Sequence, residues 1–218
     1  MAAGGRVLGL VLAAGRAARM GRPKQLAELD GRPLLEHALA AMSAAPVDDV
    51  AVAVGAYAGD VLATVDLHRA RPLLVDGWAA GMGHVLAESV AAAGAGYGAV
   101  VVALGDQPLV TGEVVASVVE AWRRGSGPVV TATYRGRPGH PKLFDRSLLP
   151  ELRGLAGDAG ARDLLAGHPE WVVGVEVAGL GSDLDVDDET RLARAAELLA
   201  RRDVAARPRT ATGTGGMP

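Results

Sequence analysis

Cysteine is absent from the 218-residue chain. Disulfides and thiolate metal sites are therefore excluded, while the compartment stays open. Aromatic residues make up only 3%, with a single phenylalanine, so the core must be filled by Ala, Val and Leu through many small contacts. Half of the residues are hydrophobic, which is enough for a sizeable core. No excess of either charge is present, with a formal net charge of −3 and a pI near 6.0. Nothing global points to nucleic acid or to an anionic membrane, and any anion binding has to be local. No apolar segment approaches the roughly 20 residues of a membrane-spanning helix. The opening Met1-Ala2-Ala3-Gly4-Gly5-Arg6 is too short for the first part of a signal peptide, so a cytoplasmic protein is expected. Two nucleotide fingerprints are also missing. There is no G-x-x-x-x-G-K-(S/T), and no G-x-G-x-x-G follows the first strand.

What is present is an alternation of short apolar runs and helical patterns. Val7–Leu12 is a continuous apolar run, as expected of a strand buried on both faces. Pro33 suits a first helical position, and Leu34, Leu35, Ala38, Leu39 and Met42 follow at helix spacing. Further strands are expected at 50–54, 72–75, 99–104, 128–134 and 171–177, and helices at 58–65, 83–93, 113–124 and 189–201. Such alternation implies an α/β fold with one doubly wound, mostly parallel sheet and helices on both faces. From Arg135 the pattern becomes irregular. One domain over 1–203 is expected, with a nucleotide-binding half at about 6–110, an acceptor-binding half at about 111–203 and a disordered tail at 204–218.

The first strand ends in LAAGRAARMGRPK, residues 12–24, which gathers Arg16, Arg19, Arg22 and Lys24 without one acidic residue. Ligands in open parallel sheets bind beyond the carboxyl ends of the strands. Small residues Ala13, Ala14 and Gly15 allow close backbone approach, and successive N–H groups can cradle an anion. Arg19 and Lys24 can add charge-assisted contacts to phosphate. The alternative is a solvated turn with ordinary surface cations. The most hydrophobic strand runs into Gly105-Asp106-Gln107-Pro108, which sets a carboxylate on the same edge, either for a hard cation or as a turn cap. Five carboxylates stand among residues 183–189. Asp187 or Asp188 can cap the last helix, which leaves Asp183 and Asp185 unexplained.

These motifs together resemble the nucleotidyltransferases that transfer a nucleoside monophosphate, most closely the molybdenum cofactor cytidylyltransferase-like (MobA/MocA-type) group. LAAGRAARMGRPK resembles L-A-(A/G)-G-x-(S/G)-x-R-M-G-x-x-K, with Ala17 where Ser or Gly is usual. Asp106 lies in a G-D-Q-P quartet like the family's second signature, and Asp185-Val186-Asp187 is similar to its D-(I/V)-D ending. Trp78-Ala79-Ala80-Gly81-Met82-Gly83-His84 resembles a W-x-x-G stretch, departing at His84. Gly139-His140-Pro141 resembles G-H-P, with polar Lys142 where an apolar residue is frequent, and Gly157–Arg162 is similar to G-D-x-G-A-R.

The resemblance implies a Rossmann-like nucleotidyltransferase fold and an Mg²⁺-dependent enzyme. It assigns Leu12, Ala13, Ala14, Gly15, Arg19, Lys24, Gly81 and Gly105 to the nucleotide, and Asp106 and Asp187, with Asp185 behind them, to the metal. Arg19, Lys24 and Asp106 are the expected catalytic residues. Gly139, His140, Pro141 and Arg162 face the acceptor, although loop shaping and an Arg162 pair with Asp158 or Asp163 account for them equally well. The expected partners are a nucleoside triphosphate, CTP by the L-A-A-G opening, and a phosphorylated small-molecule acceptor of molybdopterin type. A molybdoenzyme or its chaperone is a further candidate, and no nucleic acid or membrane is. The rival expectations are transfer of GMP or another nucleotide to a different phosphorylated acceptor, and a non-catalytic module that binds and delivers a nucleotide or cofactor.

Overall fold

In the computed structural model, which describes residues 4–16 and 20–206, the apolar runs line up as neighbouring strands. β1 (Arg6–Leu12) lies between β4 (Asp49–Val54) and β6 (Tyr97–Leu104), parallel to both, and β4 pairs in parallel with β5 (Ala70–Leu74). Alternate residues of the central strands point to opposite faces. Val7 and Val11 of β1 and Val101 of β6 pack with α1 (Leu34–Ala44) and α4 (Gly112–Arg123). Leu8, Leu10, Val100 and Val102 pack on the other face with α3 (Met82–Ala93) and α5 (Leu149–Arg153). Both faces are covered, which is why these strands read as unbroken apolar runs. Trp122, 1% exposed, is the largest buried side chain, and its indole N–H donates to Asp145 at 2.9 Å.

The irregular second half holds the main departure from the sequence reading. Arg137–Asp145 is a nine-residue strand, β8, set antiparallel between β6 and β7 (Val129–Tyr134). The seven-stranded order is β5-β4-β1-β6-β8-β7-β9, with β9 (Val172–Glu176) parallel to β7 at the edge. Two prolines and a glycine hide this strand, because proline cannot donate to a ladder. Pro141 and Gly139 fall where the β7–β8 register shifts, between the Thr131 and Thr133 pairings, so the missing donor falls in the interrupted part of the ladder. The sheet is thus mostly parallel with one inserted antiparallel strand.

Smaller differences concern element ends. Pro33 sits one residue before α1, closing a short hairpin of β2 (Glu28–Leu29) and β3 (Arg32–Pro33). Helices α2 (Ala58–Thr64), α6 (Arg162–Gly167) and α7 (Glu189–Ala206) complete the fold. α7 runs past Arg201, so the first three residues of the expected tail are helical, and 207–218 lie outside the described residues. Its start follows the expected capping, with Asp188 accepting from the Arg191 amide at 2.8 Å. No described helix is long and apolar enough to cross a membrane.

Candidate active site

Three segments far apart in sequence meet beyond the carboxyl ends of β1 and β6. Residues 12–16 leave β1, Gly105 and Asp106 leave β6, and the strap 182–188 folds across from the far end of the chain. The Gly105 amide donates to the Leu12 carbonyl at 2.9 Å, which locks the first two together. A Cβ at Gly105 would come within 3.1 Å of the Ala13 Cβ and 2.9 Å of a Leu35 methyl, so a larger residue would have to push these neighbours aside.

The strap is held by its apolar residue. Val186 is fully buried beside Leu29, Leu34, Leu109, Ala195 and Leu199, and its amide donates to the Asp106 carbonyl at 2.9 Å. In an extended strap the neighbours at i−1 and i+1 point away from that core. Asp187 accordingly reaches the Lys24 ammonium at 2.7 Å, and Asp106 reaches the same ammonium at 2.5 Å. Burial pulls the Lys24 pKa down, but the charges and hydrogen bonds of the two carboxylates outweigh it, and the net shift is upward. Lys24 is a fixed cation.

Asp185 does not join this group. Its carboxylate accepts from the Gln107 amide at 2.8 Å, and no set of three acidic or histidine side chains among the described residues is arranged to hold a metal. Asp106 and Asp187 therefore share Lys24, while Asp185, expected behind them, is held by Gln107. Burial, with repulsion from Asp106 and Asp187, pushes the Asp185 carboxyl upward against the hydrogen bond from Gln107.

The loop after β1 is shaped from beneath by a residue that sequence reading passed over. Gln25, 4% exposed, donates from Nε2 to the carbonyls of Ala13 and Gly15, both at 2.9 Å. Those carbonyls are thereby occupied, and the loop is fixed above a cleft of about 450 Å³. Leu12, Ala13, Ala14, Gly15, Lys24, Gly81, Gly105 and Asp106 line this cleft, with Trp78 and Asp158. The only signal for Gln25 and Gln107 was a buried-type position holding an amide beside Lys24 and Asp106. Arg19, assigned to catalysis and nucleotide binding, lies outside the described residues, as does Ala17.

A second cleft, of about 520 Å³, shares Leu12, Met82 and Asp158 with the first. Gly139, His140 and Arg162 line it, together with Lys142, Phe144 and Leu165. Three of the four expected acceptor residues therefore lie together, and Pro141 is buried outside the lining. Burial, with the Lys142 charge nearby, holds His140 down to about 3, so its imidazole is neutral. Arg162 is largely exposed, with Asp163 at 3.8 Å, and Asp158 turns toward Gly81 instead. His84 pairs with Glu88 at 3.0 Å on the helix surface. At the start of α3, the Gly83 amide donates to the Gly157 carbonyl at 2.7 Å.

Comparison with known proteins gives a consistent picture. Residues 9–172 match the MobA-like NTP transferase domain family. The chain is 33% identical over 198 residues to the nicotine blue oxidoreductase of Paenarthrobacter nicotinovorans, covering 86% of this chain and 95% of that protein. A crystal structure of a Mycobacterium sp. homologue of the Mycobacterium tuberculosis protein Rv0371c is 31% identical, with a TM-score of 0.79 over 90% of this chain and 98% of that one. The manganese complex of Rv0371c itself is 28% identical, with a TM-score of 0.76 over 88% and 98% of the two chains.

Proposed function

The chain belongs to the MobA-like NTP transferase family, and from that premise we propose that it transfers CMP from CTP to the phosphate of a molybdopterin-type acceptor. The observation that carries this reading is the meeting of Lys24, Asp106 and Asp187 on the rim of the cleft under loop 12–16. In the reaction an oxygen of the acceptor phosphate forms a bond to the α-phosphorus of the triphosphate. The bond from that phosphorus to the bridging oxygen breaks, and pyrophosphate leaves with the electron pair. Such a step needs positioning and charge neutralisation more than covalent help.

Each part of the work falls to a residue of this chain. The backbone of Ala13–Gly15, braced by Gln25, holds the polyphosphate close. Lys24, kept cationic by its surroundings, and Arg19 by family resemblance neutralise charge on the departing pyrophosphate. A phosphate acceptor is already ionised near neutral pH, so no strong base is required, and the neutral His140 serves orientation. Asp106 and Asp187 fit a divalent cation. The two carboxylates flank one point, taken in this structure by the Lys24 ammonium, and a cation held between them would leave its remaining ligand positions to water and phosphate, as Mg²⁺ prefers. When bound, that cation would offset the charge of the phosphates. The manganese complex of the mycobacterial relative supports a divalent site.

Thermal shift with CTP, GTP, ATP and UTP, each with and without Mg²⁺, tests the reading, together with a pyrophosphate-release screen over phosphorylated acceptors. CTP with Mg²⁺ is expected to stabilise the protein most. Saturable GTP binding without CTP binding would overturn the base assignment. Nucleotide binding without pyrophosphate release from any acceptor would favour a delivery module. The name borne by the Paenarthrobacter relative favours a second reading, oxidoreduction. Consumption of NADH or NADPH in the same screen would move the assignment to that class.

A further inference from the structure

The chain has only two lysines, Lys24 and Lys142, against twenty arginines. Both are half-buried, and each lines one of the two adjoining clefts. Everywhere else the positive charge is carried by guanidinium. Where lysine stands, the site takes a compact ammonium with three donors rather than a planar fork. Lys24 has a role in the nucleotide cleft. Lys142 has none in the reading above.

The surroundings of Lys142 leave it one free direction. Its ammonium donates to the Gly139 carbonyl at 2.6 Å and to the Thr131 hydroxyl at 3.2 Å. Thr131 in turn donates to Gly139 at 2.8 Å, so the ammonium is held in a fixed place at the irregular part of β8. An ammonium has three N–H groups, and the third has no acceptor among the described residues. The cleft beyond it is walled by Leu86, Val102, Phe144 and Leu165, with Arg162 at the rim. The negative groups nearby are Asp158, in the lining, and Asp183; burial draws the Lys142 pKa downward and the Asp183 charge only partly opposes it, without an ion pair within 4 Å among the described residues. A half-buried cation facing an apolar-walled cavity is costly unless an anion completes its shell.

We propose that Lys142 is the charge-selecting residue of the second cleft, admitting an acceptor that has an apolar or aromatic body and places an anionic group on this ammonium. This rests on the nucleotidyl-transfer reading for the word acceptor, but its test does not need turnover.

Phenyl phosphate is the probe, and benzyl alcohol is its neutral control. In the full-length wild-type chain, phenyl phosphate should slow acetylation of Lys142 in a saturable manner, read residue by residue by mass spectrometry. Benzyl alcohol should not. Because the chain has two lysines, Lys24 is an internal comparison in the same spectrum. In calorimetric titration, Lys142→Met should weaken phenyl phosphate at least about tenfold, the scale of a lost charge-assisted contact. It should leave the melting shift with CTP and Mg²⁺ unchanged. If Lys142→Met does not fold, the wild-type protection experiment stands alone. Unprotected Lys142 at saturating probe, equal protection by the alcohol, or unaltered affinity in the variant would each overturn the proposal. Protection without pyrophosphate release from any acceptor would keep the charge-selecting cleft and remove the transfer reading. Release without protection would do the reverse.

Discussion

Lys24 stands between two carboxylates, and each substitution there has a distinct expected outcome. Asp106→Asn keeps the shape and removes one charge. Turnover with CTP and the preferred acceptor should fall by about 10²–10³, the usual scale for one transition-state contact, with the melting temperature little changed, because Asp187 still holds Lys24 at 2.7 Å. Rate and melt measured on one preparation check both halves. His140 gives a pH prediction. Its folded pKa is about 3 against the ordinary 6.5, so the unfolded chain takes up a proton that the folded chain refuses as pH falls from 6.5. Stability is full above that pH and declines below it, with a slope of at most about 1.4 kcal/mol per pH unit. Denaturant midpoints between pH 7.5 and 5 should show this, and His140→Gln should flatten it. Both residues could be picked out from the sequence. Gln25 could not, and Lys142 and Asp183 stood out without a role, since nothing along the chain says which polar group is to be buried against which carbonyl.

Among the elements, α3 begins where the two clefts meet, and Gly81 decides its placement. Its φ is +104°, and a Cβ there would stand 2.5 Å from the Gly157 carbonyl and closer still to Asp158. Gly81→Ala should push the 156–160 loop away and cost roughly 1–3 kcal/mol of stability. Faster hydrogen exchange at residues 157–160, with weaker nucleotide binding, would show it. An unchanged exchange pattern would sink this account of the loop. The central strands and the long helices were legible because their apolar spacing is set by local geometry. β8 was not, because its prolines contradict the local signal. Its place between β6 and β7 depends on Phe144 and Leu143 filling opposite faces of the sheet.

At the scale of the whole molecule, the site is closed by the end of the chain. α7 contributes Ala195 and Leu199 to the small core that buries Val186, and Val186 aims its neighbours Asp185 and Asp187. Leu199→Ala should cost about 2–3 kcal/mol of stability by cavity formation. It should also weaken Mn²⁺ binding, although Leu199 is not among the residues that line the nucleotide cleft. Calorimetric titration of Mn²⁺ alongside denaturant unfolding would separate the two effects. A stability loss with unaltered metal affinity would show that the strap is held without α7.

The sequence alone determined the layered α/β class, the cationic loop after β1 and the carboxylate at the tip of β6, because apolar spacing and strand-end position are properties of short stretches. Tertiary structure alone decided that Lys24 sits between Asp106 and Asp187, that β8 enters the sheet reversed, and that two clefts share a wall. Those outcomes depend on which side chain wins a buried position and which polar group it then leaves for its neighbours. That competition is settled between segments more than 80 residues apart, as between Lys24 and Asp106 or Asp187, where no local pattern carries the answer.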